Sequence, residues 1–508
     1  MRLSFWKICL ICSPVVATTE VVKLQASAHL PVGASKPVEH AFASFSFPVH
    51  FFADFAGNKS HPNRFSQDVV RLLHEKTGAW PHIRVGGTSG DRAIYNASQT
   101  QSIILSEELD NGIPLEVYLG PTWFEGFETF PTPWTFGVNL ANNKSNALDN
   151  ALAEAEAALK HIKGNLVAFE IGNEPDLYPG SVRPLNFTEA DYVREWRYFA
   201  DAISQRVMKG NKYGLDWWKI FQALTFVDGW SVSKAFDEYG IDSTGHVKLV
   251  SQHQYAAGNA DWVRLGRSFM NHTAIAANLT QYIPAMEALQ AYDPQIPFLL
   301  GETNSDYVNL NMAGVEGVFG SSLWLVDYLL FGMSLNITRF NLIQGTTFGY
   351  TAWVPVQYNG QDPKVKPPLY GQLVVADVIG HHRTVQVKSL DLGRDNLSAY
   401  AIYESDILAK YVVVNLDEWN STTVYPRPSQ QISLDVPGYV NTAEAKRLTG
   451  PGASADTGIS WGGLSWNYTD GRLARSGSDR CDILRVSHGR LAVELPSSEA
   501  VVVEFHHQ

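Results

Sequence analysis

The sequence predicts a (β/α)8 barrel followed by a C-terminal β-sandwich, an α/β fold class with an appended all-β domain. Three observations carry this. Between about residues 40 and 380, short apolar runs of strand composition alternate with segments of helical period. Eight such runs occur, and no glycine-rich phosphate turn follows the first, so a closed barrel fits better than an open doubly wound sheet. Beyond Gly380 the texture changes to short strand-like runs separated by Gly, Pro, Asn, Asp and Ser, without a long helix.

Residues 1–19 read as a secretion signal. Arg2 and Lys7 bracket an apolar stretch, 8–16, which ends near the small residue Ala17. That stretch is too short to span a bilayer, and no later segment reaches the roughly 18 apolar residues that spanning needs. The segment 20–39 holds a strand-like run, 21–26, which is a candidate strand of the sandwich. The barrel is assigned to 40–382, with strands expected at 41–47, 82–86, 115–120, 166–172, 220–226, 249–255, 298–301 and 338–344. A helix is expected over 66–77, with Ser66 as its N-cap and Gly78 just past its end. Further helical segments fall at 147–162, 189–208, 232–239, 279–291 and 321–335. Thr188 and Asp191 form a capping-box pattern, with Asp where Glu is usual. The sandwich is assigned to 383–508, with strands expected at 384–387, 397–404, 410–416, 423–425, 431–434, 443–448, 490–495 and 500–505.

Composition excludes several classes of function. There are 39 Lys+Arg against 51 Asp+Glu, a formal net charge of −12, and no basic cluster. A nucleic-acid partner is therefore disfavoured. Cys9 and Cys12 would leave with the signal, and Cys481 would remain alone, read as a small buried hydrophobe. Sequons stand at Asn58, Asn96, Asn143, Asn186, Asn271, Asn278, Asn336, Asn396, Asn420 and Asn467. Composition would give about three by chance, so the excess points to a secreted glycoprotein. His61, His74, His381 and His382 have no metal-ligand spacing, so no metal or other cofactor is expected.

In a barrel the C-terminal ends of the strands converge on one face. The fourth strand runs out through Glu170-Ile171-Gly172-Asn173-Glu174-Pro175-Asp176, and the seventh through Gly301-Glu302-Thr303-Asn304-Ser305. Two carboxylates across the barrel mouth can flank a glycosidic bond, one protonating the leaving oxygen and the other attacking the anomeric carbon. Retention requires a separation of about 5–5.5 Å and inversion about 6.5–9.5 Å. Asn173 has the side chain to bond a sugar 2-hydroxyl. Glu170 reads as a paired interior group, Asp176 as a loop or cap residue, and Arg84 as a clamp on a carboxylate.

Four motifs in this order, Arg84-Val85-Gly86-Gly87-Thr88 with Asp91, Glu170 to Pro175, Gln252-His253-Gln254-Tyr255 and Gly301 to Ser305, resemble glycoside hydrolase family 79. This is the family of heparanase and of fungal and bacterial β-glucuronidases, and the resemblance covers nearly the whole chain. It implies Glu174 as acid/base and Glu302 as nucleophile. It also implies a grip on the glucuronate carboxylate by backbone N–H groups of Val308 and Asn309, beside Tyr307, and by the Tyr350 hydroxyl. His253 and Tyr255 would face the sugar or orient Glu302. Relatives often carry an acidic residue after the first strand, where this chain has Pro48; His50 or Asp54 are the candidates to compensate. The implied function is a secreted retaining exo-β-D-glucuronidase acting on glycans with β-linked, terminal glucuronic acid or its 4-O-methyl form, for example arabinogalactan-protein side chains. The alternatives are an endo-acting heparanase-like hydrolase, which the negative charge disfavours, and a glycan-binding pseudoenzyme.

Overall fold

The computed structural model describes residues 20–258, 262–307, 312 and 314–507. The signal segment with Cys9 and Cys12, and the pair Val308 and Asn309, lie outside the described residues. Eight parallel strands close a barrel: β1 (Ala43–Pro48), β2 (Ile83–Gly86), β3 (Trp134–Val138), β4 (Leu166–Ile171), β5 (Phe221–Phe226), β6 (Val247–Ala257), β7 (Phe298–Asp306) and β8 (Phe340–Ile343). Each strand pairs with the next in chain order, and β8 returns to β1 with Phe340 opposite Ala43. Strands of this kind are covered on both faces, which is why they read as unbroken apolar runs rather than alternating ones.

The third strand corrects the sequence reading. Residues 115–120 do not enter the barrel; Val117–Leu119 lies in a small side sheet with Ala93–Tyr95 and Ile103–Leu105. Leu115 and Glu116 are exposed there, whereas all five residues of β3 are buried. Both runs are short and apolar, and only burial on both faces tells them apart. The side sheet and a hairpin, Leu109–Asp110 against Ile113–Pro114, form an insertion between β2 and β3.

Helices α1 (Val49–Ala56), α2 (Arg64–Thr77), α3 (Ala147–Ile162), α4 (Glu189–Ile203), α5 (His272–Thr280), α6 (Ile283–Tyr292), α7 (Phe319–Ser334) and α8 (Pro368–Ile379) surround the barrel. Asn63, not Ser66, caps α2: its Oδ1 accepts from the Ser66 N–H at 3.0 Å, and Gly78 ends the helix in the left-handed region. The Thr188–Asp191 capping box is present, each side chain bonding the other's backbone. The segment 279–291 holds most of α6, which Pro284 opens in its first turn, and only the last two residues of α5. The helical segment expected at 232–239 is present over 232–238, with Lys234–Glu238 wound as a wider π turn. Helix α1, all but the end of α5, and α8 went unread in the sequence; α8 is buried almost all round and so lacks an amphipathic period.

In the C-terminal domain a nine-stranded sheet packs on a three-stranded one. The N-terminal strand Val21–Leu24 belongs to the smaller sheet, in parallel with Ser429–Asp435. Alternation along Leu397–Glu404 sends Ala399, Ala401 and Tyr403 into the sandwich core, while Tyr400 and Ile402 pack with the barrel and its helices. Residues 423–425 form a turn rather than a strand, with Val424 fully exposed. Cys481 is exposed, not buried, because it lies in the connection between the strands Arg472–Gly477 and Asp482–Arg485. None of the ten sequon asparagines is buried. No described helix is long and apolar enough to cross a membrane.

Candidate active site

The C-terminal strand ends enclose a cavity of about 550 Å³ lined by residues that include Pro48, His50, Glu174, His253, Tyr255, Glu302, Tyr307 and Tyr350. Glu174 follows β4 in a left-handed conformation (φ 49°, ψ 54°) and caps a short 3-10 turn, Pro175–Leu177. A non-glycine residue there costs on the order of 1–3 kcal/mol and persists only when its surroundings hold it. Asp91 supplies part of that hold. Its Oδ2 accepts from the Asn173 N–H at 3.2 Å and from the Tyr178 hydroxyl at 2.7 Å. Burial pushes the Asp91 carboxyl up to about 7, against the two hydrogen bonds, and the charges of Glu170 and Glu174 push the same way.

Arg84, at the second residue of β2 and fully buried, ties the constellation together. Its Nη1 donates to Glu302 Oε2 at 2.5 Å and to Ser46 Oγ at 3.1 Å. Its Nη2 donates to Asn173 Oδ1 at 2.8 Å and to Glu170, and Nε adds a second bond to Glu170 at 2.9 Å. Gln222 donates to the other Glu170 oxygen, so Glu170 is indeed an interior paired group. Because Asn173 Oδ1 is occupied by Arg84, its NH2 is left to donate elsewhere. Two glycines permit this packing. Gly87 lies in the left-handed region, and a Cβ there would stand 3.5 Å from Glu302 Oε2; a Cβ on Gly301 would stand 2.1 Å from Ser251 Oγ.

Glu302 accepts from Arg84 on Oε2 and from the Tyr255 hydroxyl on Oε1. Burial alone would raise its pKa, but the charges of His253 and Arg84 and these two bonds outweigh it and hold the carboxyl below its ordinary value. His253, opposite Glu302 in the β6–β7 ladder, bonds Glu174 rather than Glu302, from Nδ1 to Oε1 at 2.8 Å. Burial pulls the imidazole down, and the Glu302 charge together with the Glu174 bond raises it past its ordinary value. A carboxylate oxygen of Glu174 and one of Glu302 lie within 4.8 Å of each other and of a His253 ring nitrogen. Both oxygens of Glu302 are already engaged, so the three side chains suit proton holding better than cation binding.

Tyr350 is buried against Phe348 and Ile343, its hydroxyl held protonated by burial. Tyr307 is largely exposed at the rim, with its ring 6.2 Å from that of Tyr255. Of the two candidates beside Pro48, His50 lines the cavity, with no hydrogen-bond partner on either ring nitrogen; burial and the Arg92 charge pull it down to about 3. Asp54 does not line it and instead accepts from Thr346 Oγ1 at 2.5 Å. Asp176 accepts from the N–H groups of Val227 and Asp228 at 3.0 and 2.7 Å, a loop-fixing role.

Three features escaped the sequence. Arg92 lines the cavity and holds the Leu109–Pro114 hairpin, donating to the carbonyls of Ile113 and Pro114 at 3.1 Å and to Asp110 at 2.7 Å. The hairpin turns through Asn111 (φ 49°) and Gly112 (φ 79°), and the Asn-Gly pair was a legible signal for it. Lys366 donates to the carbonyls of Phe348 and Gly349, just before Tyr350; no local pattern announces that.

Residues 399–502 match the model of the glycosyl hydrolase family 79 C-terminal beta domain. The chain is 34% identical to a β-glucuronidase of Aspergillus niger over 94% of this chain and 93% of that one. It is 31% identical to a β-glucuronidase of Neurospora crassa over 85% and 86% of the two. Among solved structures, a 4-O-α-L-rhamnosyl-β-D-glucuronidase from Fusarium oxysporum superposes with a TM-score of 0.80 at 23% identity, covering 95% of this chain and 100% of that one. A family 51 arabinofuranosidase from Xanthomonas axonopodis gives 0.63 at 13% identity, over 94% and 99%. At these identities the structural likenesses speak for the shared barrel-plus-sandwich fold.

Proposed function

Because this chain belongs to glycoside hydrolase family 79 and is a glycoside hydrolase, we propose that it is a retaining exo-β-D-glucuronidase releasing terminal glucuronic acid, or its 4-O-methyl form, from glycans. The observation that carries this reading is the pair Glu174 and Glu302 with oxygens within 4.8 Å, in keeping with the short separation of retaining enzymes. Glu302 has the surroundings of an ionised nucleophile, with Arg84 on one oxygen and Tyr255 on the other. Glu174, bonded to His253 through one oxygen, has the other for a transferable proton.

In the first step Glu302 attacks C1 while Glu174 gives its proton to the departing glycosidic oxygen, which leaves a glucuronyl ester on Glu302. In the second, Glu174 takes a proton from water, whose oxygen attacks C1 and frees Glu302. Two inversions give net retention. In this reading the Asn173 NH2, left free by the bond of its oxygen to Arg84, donates to the sugar 2-hydroxyl, a bond that tightens as charge develops at the ring. The buried Tyr350 hydroxyl is a neutral donor for the uronate carboxylate. In a confined site such a donor needs no partner charge to bind an anion.

The exo mode is supported by the hairpin Leu109–Pro114, whose residues Asp110, Asn111 and Ile113 wall part of the cavity. Arg92 is the only Lys or Arg among the described lining residues, which disfavours an endo-acting enzyme for a sulfated polymer. The carboxylate constellation likewise disfavours a pseudoenzyme. Secretion and glycosylation belong to the same reading, supported by the accessible sequons.

The test is hydrolysis of p-nitrophenyl β-glucuronide with the first-formed product followed by proton NMR. β-Glucuronic acid should appear first, and Glu302→Gln should abolish turnover. Equal or better hydrolysis of the glucoside would sink the uronate assignment, and an α-anomer as first product would sink retention.

A further inference from the structure

At the N-terminal face of the barrel, opposite the strand ends that carry Glu174 and Glu302, the start of β7, helix α6 and the end of α7 enclose a groove of about 470 Å³. Its half-buried lining includes the apolar Met286, Pro297 and Leu335, and the exposed polar side chains Glu287, Gln290 and Gln295 border it. An apolar surface rimmed by polar groups marks a place where another group packs. The chain carries the attachment point for one at the lip. Asn336-Ile337-Thr338 is a sequon, Asn336 and Thr338 both border the groove, and none of the other nine sequon asparagines does.

Three hydrogen bonds fix that sequon. Asn336 follows the C-cap of α7 in the left-handed region (φ 69°), which asparagine tolerates, and its N–H donates to the Met333 carbonyl at 3.0 Å. The Thr338 N–H donates to the Phe298 carbonyl at 2.8 Å, at the start of β7. The exposed Asn336 side chain reaches the segment that joins the sandwich to the barrel, where its Oδ1 accepts from the Lys36 N–H at 2.6 Å. Only the oxygen of a carboxamide can accept from an N–H, so this bond sets which way round the group lies and leaves Nδ2 as the outer atom. A sugar carried on Nδ2 therefore keeps the Lys36 bond intact. At this volume the groove has room for about two sugar rings.

We infer that Asn336 carries an N-linked glycan whose two root N-acetylglucosamines lie in this groove. The inference rests on the secretion and glycosylation part of the proposed reading, and it adds one site and the surface that receives the sugar. Attachment forms a bond from Nδ2 to C1 of the first N-acetylglucosamine and breaks the bond from C1 to the diphosphate of an activated polyprenyl donor; Nδ2 gives up one proton and the lipid diphosphate leaves. Once attached, the sugar needs little affinity of its own, because the linkage keeps its local concentration on the order of millimolar. The acetyl methyls and the C–H faces of the rings cover Met286, Pro297 and Leu335, while hydroxyls meet Glu287, Gln290 and Gln295. The groove lies at the face opposite the proposed glutamate pair, so the glycan leaves the active site open.

The experiment uses the full chain secreted from a yeast host that keeps high-mannose glycans, with occupancy of each sequon read by glycopeptide mass spectrometry. Asn336 should be occupied in most chains. The native protein is then treated with an endoglycosidase that cuts between the two root sugars. Asn336 should be trimmed at least about tenfold more slowly than occupied sequons on open surface, such as the exposed Asn186 and Asn467, and the difference should vanish on denaturation. Met286→Glu keeps the sequon and puts a charge on the apolar lining, so it should bring the trimming of Asn336 to within about twofold of the others while p-nitrophenyl β-glucuronide hydrolysis is unchanged. The wild-type comparison decides by itself if that variant does not fold. An unoccupied Asn336, or a glycan there trimmed as fast as the others, overturns the inference while the glycoprotein reading stands. Occupancy at none of the sequons overturns both, and full protection kept in a folded Met286→Glu overturns the groove as the docking surface.

Discussion

Replacing Tyr255 by Phe deletes one hydroxyl and leaves the ring in place, so it isolates a single bond to the proposed nucleophile. Glu302 is buried, and its two oxygens are served by Arg84 on one side and Tyr255 on the other. A hydrogen bond to a charged group is worth about 1.5–3 kcal/mol net. At 1.36 kcal/mol per pKa unit, its loss should raise the Glu302 carboxyl by about 1–2 units. The sign follows from the direction of the present shift. Glu302 sits below its ordinary value, and removing a bond to its ionised form moves it up, so the acidic limb of kcat/KM must move to higher pH. The Tyr255 hydroxyl is itself held protonated throughout by burial and the Glu302 charge, so it adds no limb of its own. At the optimum the same energy predicts a fall of about 10- to 150-fold. The assay is p-nitrophenyl β-glucuronide hydrolysis across about pH 3–8, wild type against Tyr255→Phe. An unmoved acidic limb with a rate within about threefold of wild type would show that the bond does not tune the nucleophile.

Three further outcomes are expected. Arg84→Ala leaves Glu170 and Glu302 buried without their shared cation, so thermal denaturation should report a loss of about 3–5 kcal/mol; a variant as stable as wild type would refute the hub. Gly301→Ala puts a methyl 2.1 Å from Ser251 Oγ, one residue before Glu302; kcat should drop at least about 100-fold while the circular dichroism spectrum is kept, and full activity would show the strand has slack. Lys366 is pulled down to about 8 by burial and by Lys364, against Glu316 and Asp456. As pH rises past that value it loses the ammonium that holds the carbonyls before Tyr350, so KM should climb while kcat stays level. Lys366→Arg, which keeps its charge, should show no such climb, and a climb of the same size in both would clear Lys366 of the effect.

Much of the barrel was legible because its signals are local. Apolar runs of strand length, a capping box at Thr188, and a Glu two residues past a Gly where β4 runs out can all be read within a dozen residues. The same locality explains the misreadings. Residues 115–120 look as strand-like as 134–138, and what separates them is the number of faces that neighbours cover. Ser66 looks as good a cap as Asn63 until the helix start is known. Cys481 has an ordinary apolar preference and yet sits exposed in a connection between two strands.

The amino-acid order by itself determined the alternation of strands and helices, the change of texture near residue 380, and which strand ends carry glutamates. Those follow from short-range sterics and from the period at which apolar side chains recur. Only the tertiary structure decided that Arg84 serves Glu170, Asn173 and Glu302 together, and that His253 holds Glu174 while Tyr255 holds Glu302. It alone set an insertion hairpin into the wall of the cavity. Arg84 and Glu302 are separated by 218 residues, and the bond between them exists because barrel closure brings distant strand ends to one mouth. No pattern within a local window carries that distance.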